Sequence, residues 1–295
     1  MIHRLALAAP LAAVLAFSTG QGAQATDAAT AKRHVNLAAL QPMLAEQIAK
    51  AACFTRLGVH PDAQMKYLRG AQTLFSKTQA GLRDGSPALG LATETHPNLI
   101  QGLDAFDREA GRWLAQTKAL ANGEGNISDQ AFEALVLQTT KAVALTEDFA
   151  ERARRTYGAT DGVALSLTLR IELASRQRLL SQRIAKEFCL IASGRGGDEN
   201  RAALAEAAAV FDKSMNALID GVDAFGLPAE SDTDRLRKLE GVREAWSSMQ
   251  PVVMAVAAGA TPDAAAIAEV AWSNNVILTQ ANAAVFAYET TGVEG

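Results

Sequence analysis

Only two cysteines, Cys53 and Cys189, occur in the 295 residues, which excludes a small disulfide-framework fold. No Cys-x-x-Cys-His run offers covalent haem attachment. Histidine is equally scarce. Beyond the N-terminal segment only His34, His60 and His96 remain, none at Glu-x-x-His or His-Glu-x-x-His spacing, so di-iron bundle and zinc protease chemistry are excluded. No Gly-x-Ser-x-Gly occurs, and Gly194-Arg195-Gly196-Gly197 follows no strand and so forms no phosphate loop. No catalytic residue, metal or cofactor is expected, and the chain does not read as an enzyme. A formal charge of −4 gives no bulk attraction for nucleic acid. Aromatics make up 5% of the chain, whereas apolar residues reach 49%, most of them Ala and Leu. That is enough apolar material for a core, and it favours helix over sheet. Val/Ile/Thr runs with a period of two are absent.

The first 25 residues read as an export signal. Met1-Ile2-His3-Arg4 is a short basic start, Leu5 to Phe17 is an apolar run, and Ala23-Gln24-Ala25 is the small-x-small pattern of a cleavage site. The run falls short of the roughly 20 residues that span a bilayer, and no later apolar stretch is long enough to span one. Cleavage after Ala25 and a soluble, periplasmic mature protein are expected.

Past Thr26 the chain breaks at Gly, Pro, Asn and Asp clusters into eight helical stretches, 27–57, 62–83, 98–121, 128–157, 161–193, 198–220, 231–258 and 262–288. Within them apolar residues recur at three and four, as in Leu236, Leu239, Val242, Trp246, Met249, Val253 and Val256. The class is all-α. Trp113, Trp246 and Trp272 lie on apolar faces and are expected in the core. Residues 36–53 align with 172–189 at an offset of 136, with eight of 18 positions identical, among them Gln41/Gln177, Lys50/Lys186 and Cys53/Cys189. The same offset pairs Phe75 with Phe211, Asp84-Gly85 with Asp220-Gly221, and Gly123 with Gly259. A single register held across several helices predicts two four-helix up-down bundles, 26–161 and 162–295.

On a helical wheel with Leu173 at the origin, Gln177, Leu180, Ile184 and Ile191 form one seam for the bundle of their own half. Arg178, Gln182, Ala185 and Cys189 form a stripe on the opposite side, and Arg176 and Arg183 share a third flank. That stripe either meets a second helix or is solvated. An arginine between helices stays charged and needs an anion or a carboxylate, and its planar fork suits an oxyanion. Gln182, one turn on, would add a neutral donor.

Residues 171–191 resemble the opening helix of the PilJ/NarX-type sensor domain, whose pattern is approximately N-x-A-G-R-Q-R-M-L-S-Q-R-x-A-K. Ala174, Arg176-Gln177-Arg178, Leu180-Ser181-Gln182-Arg183 and Ala185-Lys186 match it, while Ser175 and Glu172 depart from it. The resemblance implies periplasmic four-helix bundles, usually set before a transmembrane helix in histidine kinases and chemoreceptors. In members that sense nitrate or nitrite, opening helices pair about a twofold axis and an arginine from each holds the anion. That role falls on Arg178, with Arg183 structural or accessory and Arg176 beside them. In the first repeat Arg176, Arg178 and Arg183 become Leu40, Pro42 and Gln47, so its donors are gone, and Pro42 should kink or shorten that helix. An internal pseudo-dimer would keep one arginine, whereas a homodimer through the second repeats would keep two. Cys53 and Cys189 take equivalent positions on the second face. They either bond, joining the halves, or stay as two buried thiols.

The expected function is an exported sensory protein that binds a small anion, with nitrate or nitrite as candidates, at Arg178, Gln182, Arg183 and Arg176. It would relay binding to a separate membrane receptor or kinase. The competing expectation is a helical interaction module that docks on a membrane receptor or pilus-linked component without a small ligand.

Overall fold

A computed structural model describes residues 20–123, 128–158 and 165–290. The basic start and apolar run of the expected export signal lie outside the described residues. Eight α-helices make up the fold: α1 (Gly20–Arg56), α2 (Pro61–Asp84), α3 (Pro97–Ala121), α4 (Asp129–Tyr157), α5 (Leu165–Ala192), α6 (Asp198–Asp220), α7 (Thr233–Ala257) and α8 (Ala264–Thr290). They start and stop where local chemistry demands. Pro61 and Pro97 open α2 and α3, where a missing N–H costs nothing. Ser128 caps α4 by accepting from the Ala131 amide at 3.2 Å, and Asp232 caps α7. Among the described residues no strand forms, and no helix is long and apolar enough to cross a membrane.

Helices α1 to α4 pack in a ring in chain order, and α5 to α8 do the same. The halves share small details at the offset of 136. A one-turn 3-10 helix follows α2 at Pro87–Leu89 and α6 at Asp223–Phe225. Each is closed by an isolated bridge, Ser86 to Leu91 and Val222 to Leu227. Gly85 and Gly221 turn the chain there with φ of 80° and 78°. A Cβ at Gly221 would lie 2.5 Å from the Leu227 carbonyl, so only glycine fits. Gln41 donates to Thr78 in the first half, and Gln177 donates to Ser214 at 2.5 Å in the second.

The two rings are fused through α1 and α5, which pack side by side and share one continuous apolar core. Phe75, Phe106 and Trp113 fill its first half, and Phe211 against Trp246 its second. Two sequence expectations need correction. Pro42 does not shorten its helix, since α1 runs unbroken from Gly20 to Arg56. A single proline removes one hydrogen bond, and packing on α2, α4 and α5 holds the turns on either side. Trp272 is not in the core but 67% exposed. Apolar and polar residues are spread round α8 without a one-sided pattern, so periodicity could not tell which face turns inward; Ile277, Ala281, Val285 and Tyr288 do.

Candidate functional site

Among the described residues, the α1/α5 junction gathers the charged side chains buried deepest. Arg183 reaches Glu46 and Arg178 reaches Asn36, so the two helices run side by side in the same direction. At their far end Cys53 and Cys189 are joined by a disulfide, with Cα atoms 6.2 Å apart and 136 residues of chain between them. Equivalent residues meet there, so the halves face each other about a pseudo-twofold axis. The second face of α5 is therefore spent on α1 and is not free for another chain.

Arg178 is buried, at 4% exposure. Its Nη2 donates to Asn36 Oδ1 at 2.7 Å and to Ser175 Oγ at 3.0 Å, both neutral acceptors. Its Nε has no hydrogen-bond partner, and it forms no ion pair among the described residues. Burial pushes the guanidinium pKa down to about 10, and the Glu289 carboxylate of α8 acts the other way without outweighing it. Burial also raises the Glu289 pKa, against the pull of Arg178, Arg33 and Lys32. Gln182, fully buried, donates only to Ser181 Oγ at 3.1 Å and leaves its Oε1 unpartnered.

Arg183 has a different fate. Its Nε donates to Glu46 Oε1 and its Nη2 to Glu147 Oε1, both at 2.9 Å. Lys186 pairs with Glu46 at 2.8 Å and with Glu187 at 2.9 Å. Burial works against Glu46, yet Lys186 and Arg183 outweigh it and hold its carboxyl below the usual range. Burial works against Lys186 and Arg183 as well, and the carboxylates around them hold both pKa values above the ordinary ones. Every charge in this network has an ion-pair partner, and it ties the halves together. Lys50, the counterpart of Lys186, has no such support. It is fully buried and donates to Asn274 Oδ1 at 2.8 Å and Asn275 Oδ1 at 3.2 Å, and burial pulls it down to about 7.

Arg176 is exposed and opens into a cleft of about 290 Å³ on the α4 side of the junction. Val35, Ala39 and Pro42 from α1 line its floor, with Glu151 and Arg154 from α4 and Arg183 from α5 at its rim. The four expected ligand residues thus split into two groups. Arg178 and Gln182 are enclosed between α1 and α5, while Arg176 and Arg183 line the cleft on the α4 side. Among the described residues no group of His, Cys, Asp or Glu could hold a metal.

Several partners escaped the sequence reading. Glu46, Asn36, Asn274 and Glu289 lie far from the motif in the chain. One signal was available for Glu46: at the offset of 136 it stands where the second half has Gln182, so the half that lost its arginines had gained an acid. The same offset links two buried carboxylates. Glu94 accepts from the Tyr157 hydroxyl at 2.9 Å and stands 3.8 Å from His34. Glu230 accepts from the Tyr288 hydroxyl at 2.7 Å and pairs with Arg170 at 3.1 Å. His34 and Arg170 are themselves 136 apart.

The family model described as type IV pili methyl-accepting chemotaxis transducer, N-terminal, matches residues 164–271, which span α5, α6, α7 and the first turns of α8. Comparison with curated proteins and with solved structures gives no significant match.

Proposed function

Because its second half belongs to the type IV pili methyl-accepting chemotaxis transducer N-terminal family, a family of sensory signalling domains, we propose that the chain is an exported anion sensor built from two copies of one four-helix unit. The ligand is a small planar oxyanion, nitrate or nitrite, taken up at Arg178. One observation carries this reading: a guanidinium at 4% exposure whose hydrogen bonds go only to the neutral acceptors Asn36 and Ser175 and whose Nε is unpartnered, with Glu289 nearby but not paired to it. A buried cation without a direct ion pair is costly, and an anion between α1, α5 and α8 would reduce that cost. The anion would also compete with Asn36 and shift α1 and α8 relative to α5. That movement is the signal a membrane partner would read. Export is supported by the leader-like start and by the Cys53–Cys189 disulfide, which persists in an oxidising compartment.

Calorimetric titration of the mature protein with nitrate, nitrite and chloride tests the proposal. Saturable binding of nitrate or nitrite, with chloride weaker, is the expected result, and no saturable heat for any of the three removes the reading. N-terminal sequencing of the exported chain should begin at Thr26.

One observation favours the second reading, an interaction module that takes no small ligand: the clefts on the surface are lined by Arg176 and Arg183, not by Arg178. That reading requires a melting temperature unmoved by any anion, together with co-purification of a membrane receptor.

A further inference from the structure

Helix α8 has an outward face unlike any other in the molecule. The outward faces of α3, α4 and α7 are charged, with Asp104 and Arg108, Glu133 and Lys141, and Arg237 and Glu240 exposed on them. On α8, Ala268, Trp272, Val276, Thr279, Ala283 and Phe286 fall within about 40° of one line at 100° per residue, and none of them is charged. Trp272 is 67% exposed and Phe286 65%, Thr279 is exposed between them, and the smaller three are half-buried. The charges of α8 leave this face clear. Glu269 accepts from Ser273 Oγ on the flank, and Glu289 turns toward Arg178.

We propose that this face is a homodimer interface, in which α8 packs antiparallel against α8 of a second copy about a twofold axis at Thr279. The pattern is self-complementary. Trp272 and Phe286 each lie seven residues from Thr279, so in an antiparallel pair Trp272 of one copy stands level with Phe286 of the other, twice over. A twofold interface needs that property, because one patch must fit itself. A stripe with no charge selects no charged partner, and aromatic pairs gain beyond the area they bury.

The area sets the strength. The two exposed rings and their four neighbours offer roughly 500 Å² per copy, below the about 800 Å² per partner of a standard interface. The dimer is therefore reversible, with a dissociation constant of about 1–100 µM. It uses α8 and leaves the α1/α5 junction internal, so it does not depend on anion binding at Arg178.

Sedimentation of the mature protein over a concentration series, together with cross-linking, tests the assignment. Because Cys53 and Cys189 are bonded, Thr279→Cys supplies a single free thiol. It should link copies into covalent dimers on mild oxidation, whereas Ser247→Cys, exposed on α7, should not. Trp272→Glu with Phe286→Glu should leave the chain monomeric with its helical content intact, and Trp272 emission in the wild type should shift to the blue as concentration rises. Any of three results overturns the proposal: cross-linking of Thr279→Cys no faster than of Ser247→Cys, a dimer that survives the double substitution, or a monomer whose Trp272 shifts only on phospholipid vesicles.

Discussion

Replacing Lys50 by methionine should stabilise the protein, and should do so with a pH dependence that identifies the cause. Lys50 is fully buried, its ammonium donates to the amide oxygens of Asn274 and Asn275 and lies over the Tyr67 ring but meets no carboxylate, and its pKa falls from the ordinary 10.5 to about 7. That gap corresponds to about 5 kcal/mol of folding free energy lost to the buried charge. The unfolded chain holds the proton up to pH 10.5 and the folded chain only up to about 7. The penalty is therefore complete below pH 7 and relieved as pH rises toward 10.5, at about 1.4 kcal/mol per pH unit. Methionine matches the length of the lysine stem and leaves the fully buried Asn274 oxygen unpaired, at about 1–3 kcal/mol, whereas Asn275 is only half-buried. The net expectation is a gain of about 2 kcal/mol at pH 7 that shrinks by about as much by pH 9. Urea unfolding of both proteins at pH 7, 8 and 9, with the disulfide intact, measures the difference directly. Parallel pH profiles, or a variant less stable at pH 7, would refute the reasoning.

Two further outcomes follow from the buried pairs. Glu230 is held at about 2 by Arg235, Arg170 and Tyr288 against its burial, so it stabilises the fold above pH 4.5 and loses that contribution as pH falls toward 2. Glu230→Gln should cost about 2–4 kcal/mol at neutral pH, because it strands Arg170, and should flatten the acid limb of the stability profile. An unchanged acid limb would contradict this. Changing Cys53 and Cys189 together to serine opens a loop of 136 residues and should lower stability by about 2–5 kcal/mol, measured against wild type without reductant. Equal stability would show that the cross-link constrains nothing.

Much of the fold was legible because its punctuation is local. Gly58…Pro61, Gly85-Ser86-Pro87 and Gly226-Leu227-Pro228 mark helix ends whatever packs around them, and the observed ends fall within a few residues of those marks. The 136-residue register was legible for the same reason, since it needs only residue identity. Trp272 shows the limit. On a helix whose apolar residues are spread over every side, the inward face is chosen by neighbours from other parts of the chain. The site was legible only on the α5 side. Arg178 fell on the face that meets α1, but nothing near it in the chain announces Asn36 or Glu289 as its neighbours. Lys50 is the sharper case. Identity with Lys186 suggested equivalence, yet one lysine meets two carboxylates and the other none, because Glu46 sits on only one side of the pseudo-twofold axis.

The central claim is that Arg178 holds an anion, and calorimetry on single-arginine variants tests it most directly. A charge-assisted contact is worth about 1.5–3 kcal/mol, so Arg178→Ala should weaken nitrate or nitrite binding roughly 10–100-fold. Arg178→Lys should recover only part of that loss, because the planar fork is gone. Arg176→Ala, exposed on the far cleft, should leave the affinity within about twofold of wild type. Loss of binding in Arg176→Ala with full affinity in Arg178→Ala would contradict the account and move the site to the α4 side of the junction.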